Sequence, residues 1–114
     1  MTKSKNGGKG LRPATGLVHL GRDPAAQHGF VNTPVYRGST VLFPTLDALK
    51  KRTQPYTYGR RATPTTRALE DALTELAGGE ATILLPSGLN AVTAALLAFV
   101  QAGDEILMVD TVYQ

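Results

Sequence analysis

The sequence has no cysteine, only two histidines, no lysine after Lys51, no basic residue after Arg67 and no charge between Ala81 and Gly103. Each gap excludes something. Without thiols there is no disulfide framework, zinc finger, iron–sulfur site or cysteine nucleophile. His19 and His28 are too few for a histidine-based metal site without carboxylate help. The uncharged stretch raises the question of a membrane span. Pro86, Ser87, Gly88 and Asn90 interrupt it, leaving about ten predominantly apolar residues in one run where a span needs roughly 20. No Gly-x-Gly-x-x-Gly follows a strand-like segment, and no Gly-x-x-x-x-Gly-Lys-Ser/Thr occurs at all. The dinucleotide fingerprint and the P-loop are therefore both absent.

What is present is ordinary globular composition: 114 residues, 42% hydrophobic and 18% charged. That length allows one domain at most. The net charge of +3 is unevenly placed. Lys3, Lys5, Lys9 and Arg12 precede any acid, and the rest of the chain carries eight basic and nine acidic residues. Residues 1–12 read as a disordered basic tail, and no apolar core marks them as a secretory signal. A second cluster, Lys50, Lys51, Arg52, Arg60, Arg61 and Arg67, contains no acid and suits anion binding.

Residues 11–40 show little periodicity. With Pro34 biasing Thr33 toward extended geometry, they read as an irregular arm that packs on something else, such as another subunit. A short helix is predicted after Pro44, with Thr45 and Asp47 in its first turn, Leu46 and Leu49 facing inward and Lys50-Lys51-Arg52 at its end. Thr63 as N-cap and Pro64 at the first helical position open a stronger helix, striped by Leu69, Ala72, Leu73 and Leu76 and stopped by Gly78-Gly79. Residues 81–85 read as a buried strand. Ser87 or a neighbour then caps a helix reaching about Ala102, and residues 105–109 form a second strand. Two apolar strands joined by such a helix predict a right-handed βαβ unit with a parallel sheet. The second helix is apolar nearly all round, which calls for burial on several sides. The pattern is that of the opening of a larger α/β domain.

Three places could carry chemistry. Pro86-Ser87-Gly88-Leu89-Asn90 sits where a strand meets a helix, and free N–H groups at a helix start suit phosphate. By spacing alone the signal is weak, because a Ser-Gly turn also serves simply to pack a helix on a strand. Tyr56-Thr57-Tyr58-Gly59-Arg60-Arg61 combines arginines with tyrosine hydroxyls that bind phosphate or carboxylate, and Gly59 is expected to turn the backbone sharply. A solvated basic loop, or base stacking on nucleic acid, are the alternatives. Asp110-Thr111-Val112-Tyr113 ends the second strand, where Tyr113 stacks on a planar ligand or merely packs.

Taken together, Tyr58-Gly59-Arg60-Arg61, Pro64-Thr65, Pro86-Ser87-Gly88 and Asp110-Thr111-Val112-Tyr113 resemble the Cys/Met-metabolism family of pyridoxal-phosphate (PLP) enzymes. Residues 34–44, Pro-Val-Tyr-Arg-Gly-Ser-Thr-Val-Leu-Phe-Pro, are similar to the arm of its cystathionine β-lyase branch. Where γ-branch members commonly show Gly-Asn-Pro-Thr, this sequence has Ala62-Thr63-Pro64-Thr65, which favours the β-lyase.

The resemblance implies an α/β chain of fold type I: a disordered tail (1–12), an arm contacting a neighbouring subunit (13–62) and the incomplete start of a large PLP-binding domain (63–114). It implies pyridoxal 5'-phosphate as cofactor and α,β-elimination of cystathionine to homocysteine, pyruvate and ammonia. Tyr58 and Arg60 would hold the phosphate of the adjacent subunit's PLP. The N–H groups of Gly88 and Leu89 would hold it within their own subunit. Tyr113 would stack on the pyridine ring and assist proton transfer. The expected partners are a sulfur-containing amino acid and further copies of the chain, as an active dimer within a tetramer, with no nucleic acid and no membrane. The expected location is cytoplasmic. The lysine to which the family attaches its cofactor lies beyond this length, so the 114 residues alone are expected to be inactive, as the N-terminal fragment of a longer enzyme. A γ-synthase or γ-lyase of the same family, and a non-catalytic anion- or nucleic-acid-binding module, are the competing readings.

Overall fold

The computed structural model describes residues 12–112. The expected tail and Tyr113 lie outside the described residues, apart from Arg12. Four helices follow in order: α1 (Pro13–His19), α2 (Leu46–Lys51), α3 (Pro64–Ala77) and α4 (Gly88–Phe99). The chain divides into two compact units, one ending at Ile83 and the other beginning at Leu84.

In the first unit, α3 forms for local reasons that the sequence states plainly. Thr63 is extended, and its Oγ1 accepts the Thr66 N–H at 3.2 Å, while Thr66 Oγ1 accepts the Thr63 N–H at 2.9 Å. This reciprocal box satisfies two backbone donors that a helix start otherwise leaves open. Pro64 follows at the first helical position, where its missing N–H costs nothing. At the other end Gly78 takes the left-handed conformation at φ 64°, and its N–H returns to Thr74 and Glu75. Thr63→Ala removes half of the box. It is expected to lower the denaturation midpoint by about 0.5–2 kcal/mol in stability, with Thr63→Ser close to wild type.

Helix α2 follows Pro44 as expected, but Thr45 is its cap and not part of its first turn, with Thr45 Oγ1 accepting from Ala48 N–H at 3.1 Å and Lys51 paired to Asp47 at 3.0 Å. Its leucines, however, do not face inward: Leu46 is 65% exposed. Helix α1 corrects the reading of residues 11–40 as wholly irregular. Pro13 sits at its start, and Leu20 N–H closes it on Gly16 O at 2.9 Å. Gly16 and the lack of a periodic apolar stripe hid it.

In the second unit, Ser87 is extended and its Oγ accepts the Asn90 N–H at 3.1 Å, starting α4 as predicted. The helix ends earlier than expected. Val100 is already extended, and a small turn follows in which Gln101 N–H reaches Asp104 Oδ2 at 2.7 Å and Asp104 N–H reaches Gln101 O at 3.1 Å. Gly103 serves that turn and not the helix cap, with φ 100°.

The predicted βαβ unit is the main difference. Residues 81–85 and 105–109 are not strands, and among the described residues the one β-bridge is the antiparallel pair Thr40 and Tyr58. A strand exists only through its ladder partner, and among the described residues neither segment has one. The same deficit shows in burial. No described residue is buried, and the apolar α4 leaves Leu89, Leu97 and Phe99 largely exposed. No described helix is long and apolar enough to cross a membrane.

Candidate functional site

The loop Tyr58–Arg61 is built by its neighbours. Tyr58 pairs with Thr40, and Gly59 N–H donates to Ser39 O at 2.8 Å. Arg61 and Ala62 N–H then return to Tyr58 O at 3.0 and 3.3 Å, turning the chain toward the Thr63 cap. Gly59 does not have the positive φ that a sharp glycine turn implies. It is required for another reason. A Cβ there would overlap the Gly38 carbonyl oxygen and lie 2.9 Å from its carbon, so only hydrogen fits where the two backbone segments cross.

This loop presents Tyr58 and Arg60 to solvent. Elsewhere in the basic cluster, Lys51 is paired with Asp47 and Arg67 with Glu70 at 3.2 Å. Among the described residues Lys50, Arg52, Arg60 and Arg61 belong to no ion pair. Of these, Arg60 and Arg61 follow Tyr58 closely in sequence, within the loop that the Thr40–Tyr58 bridge anchors. Arginine suits phosphate there because its fork makes two parallel hydrogen bonds.

The second candidate stands on its own at the start of α4. Asn90 N–H is taken by Ser87 Oγ, and Ala91 N–H by Ser87 O at 3.0 Å. The two donors left at that end are those of Gly88 and Leu89, the pair singled out from the sequence. A Cβ on Gly88 would meet nothing within 4 Å, so the approach to these donors is open. An anion there gains about 0.3–1 kcal/mol from the helix dipole when exposed. Each hydrogen bond to it adds about 1.5–3 kcal/mol.

Sequence reasoning missed a third feature. A cavity of about 330 Å³ in the first unit is lined by Gly21, Gln27, Tyr36, Tyr56, Arg67 and Asp71, among others. Gln27 Nε2 donates to Thr33 Oγ1 at 3.0 Å, leaving its buried Oε1 unpartnered. Burial pushes the Tyr56 hydroxyl above its ordinary value of 10.0, with Arg67 lowering it and Asp71 and Tyr36 raising it. A phenol raised on folding contributes stability that is present below the unfolded value and lost as pH rises through the folded one. The phenolate difference titration of wild type against Tyr56→Phe is expected to show a midpoint above 10.0. No local signal announces this cluster, because its residues are scattered from position 19 to 75.

Residues 14–114 match the model of the Cys/Met metabolism PLP-dependent enzyme family. The chain belongs to this family. Its cofactor is pyridoxal 5'-phosphate. Among relatives, the protein named "Putative cystathionine beta-lyase" of Rhizobium johnstonii is 58% identical over 99 residues, 87% of this chain and 25% of its own length. Cystathionine beta-lyase of Salmonella typhimurium is 41% identical over 105 residues, covering 88% and 27%. L-methionine gamma-lyase of Pseudomonas putida is 36% identical over 104 residues, covering 88% and 26%. The chain thus spans about a quarter of the length of the curated relatives it matches. Family membership implies fold type I. Two features of the described residues have the chemistry a phosphate needs: two N–H groups left open at the start of α4, and exposed guanidiniums of the Tyr58–Arg61 loop that belong to no ion pair.

Proposed function

We propose that this chain is the N-terminal part of a PLP-dependent carbon–sulfur lyase of the cystathionine β-lyase type. The observation that carries the reading is the family match across residues 14–114, together with relatives named cystathionine beta-lyase at 58% and 41% identity. Ala62-Thr63-Pro64-Thr65 in place of Gly-Asn-Pro-Thr supports the β branch.

In this proposal each residue has a task set by its chemistry. The N–H groups of Gly88 and Leu89 hold the phosphate of their own subunit. Tyr58 and Arg60 reach the phosphate of an adjacent subunit, so the working unit is a dimer, and a tetramer pairs two of them. Tyr113 stacks on the cofactor ring and carries a proton to or from the substrate. When bound, PLP draws electron density away from the substrate's α-carbon, which the protein orients and tunes. The net reaction breaks the Cβ–S bond of cystathionine and adds one water, giving homocysteine, pyruvate and ammonia. The exposed apolar faces of α4 are the surface on which the rest of the domain packs. With no lysine after Lys51, the 114 residues alone have no candidate for the cofactor-linking lysine and are catalytically inert.

The second reading is a γ-lyase, favoured by relatives named L-methionine gamma-lyase and Cystathionine gamma-lyase at 36% and 35% identity. Product analysis of the full-length enzyme with cystathionine separates the two. Pyruvate with homocysteine supports the proposal. 2-Oxobutyrate with cysteine replaces it by the second reading.

A further inference from the structure

We propose that Thr65 is a positioning residue for the phosphate grip of Tyr58 and Arg60. This inference rests on the cofactor role assigned above to those two residues.

Thr65 stands one residue inside α3, beyond its cap. Capping is already done by Thr63 and Thr66. The Thr65 hydroxyl is therefore free for a different task. Its Oγ1 donates to Pro34 O at 2.7 Å and accepts from Tyr36 N–H at 2.8 Å. These two groups flank Val35 and would otherwise be met by a neighbouring strand. One side chain thus substitutes for a ladder partner and binds the extended segment across about thirty residues of sequence.

The same segment continues to the phosphate loop. Ser39 O accepts from Gly59 N–H, and Thr40 pairs with Tyr58. The loop then turns on Tyr58 O and enters α3 at Thr63. The connections form a closed ring: Thr65 to residues 34–36, along the chain to 39–40, across to 58–59, and through the cap back to Thr65. Arg60 lies inside that ring and is held by backbone on both sides. Opening the ring at Thr65 leaves the sequence and charge of Tyr58–Arg61 unchanged and frees the strip that they lean on.

A hydroxyl is needed, because only a group that both donates and accepts can satisfy Pro34 O and Tyr36 N–H together. Thr65→Val keeps the shape and removes both bonds. Thr65→Ser keeps both bonds with a smaller side chain.

The test is the affinity of the full-length apoenzyme for PLP and for pyridoxal, which lacks the phosphate, in wild type, Thr65→Val, Thr65→Ser and Arg60→Ala. Two lost hydrogen bonds set the scale at about tenfold. Thr65→Val is expected to bind PLP about tenfold more weakly with pyridoxal unchanged, and Thr65→Ser to restore PLP binding. Equal weakening toward both ligands means a general loss of structure and overturns the proposal. So does an unchanged PLP affinity in Thr65→Val while Arg60→Ala loses it. If Arg60→Ala leaves PLP binding intact, the role of Arg60 falls and the proposal with it. Where Thr65→Val is not recovered folded, Thr65→Ala is read by the same criteria.

Discussion

Gly88→Pro is expected to weaken PLP binding about 10- to 150-fold in the full-length enzyme while leaving α4 intact, on the scale of one lost hydrogen bond to a charged group. The reasoning comes from the helix start. The Gly88 N–H has no role in the helical ladder, so removing it takes away only the donor proposed for the phosphate. Proline is tolerated at that position because its ring fixes φ where a helix begins. The chain already uses this device, with Pro13 opening α1 and Pro64 opening α3. Ser87 before it is extended at ψ 159°, as a residue preceding proline must be. Gly88→Ala is the control. It keeps the N–H, its Cβ meets nothing within 4 Å, and its affinity is expected to stay near wild type. Equal PLP affinity in Gly88→Pro and wild type would remove this helix start from the site.

Gly59→Val is expected to be the most damaging change in the first unit. Its Cβ would be forced into the Gly38 carbonyl, and the neighbours are backbone atoms that cannot swing aside as a side chain would. Overpacking of this kind costs about 1–3 kcal/mol or more. The strain is relieved by separating Gly59 from Gly38, which breaks the hydrogen bond to Ser39 O and the Tyr58–Thr40 pair. Arg60 follows directly in sequence and moves with them. Reduced thermal stability and PLP affinity lowered by tenfold or more are expected together. Moderate urea that leaves wild type folded should unfold the variant first. A Gly59→Val protein with wild-type stability would show that the two segments do not cross as closely as described.

How far these features could be read from the sequence depended on the distance over which each is decided. The caps of α3 and α4 are settled within three residues, so Thr63 with Pro64 and the Ser87 turn were legible, whereas the return bond from Thr66 was not. Gly78 as the stop of α3 was legible for the same reason. Helix α1 was not, because a Gly sits in its middle and no apolar stripe crosses it. The strands at 81–85 and 105–109 have the right composition, but a strand is completed by residues far away. Gly59 was legible as part of a turn, but its need for a bare Cα arises from Gly38, twenty-one positions earlier. Thr65 was visible only as part of a motif. The two carbonyl and amide groups that it joins lie about thirty residues back, and no periodicity connects them.

The central claim is that the phosphate is held by two elements from different subunits, Gly88–Leu89 in one and Tyr58–Arg60 in its neighbour. Subunit mixing tests it most directly. Full-length Arg60→Ala and Gly88→Pro enzymes are each expected to be weakened in PLP binding by themselves. In a mixed dimer one site combines the intact helix start of one subunit with the intact Arg60 of the other, while the opposite site carries both lesions. Co-refolded or exchanged subunits are therefore expected to regain a fraction of sites with wild-type PLP affinity, measured by fluorescence titration. Mixtures confirmed to contain heterodimers but with no site tighter than those of the parent variants would contradict the shared-site account.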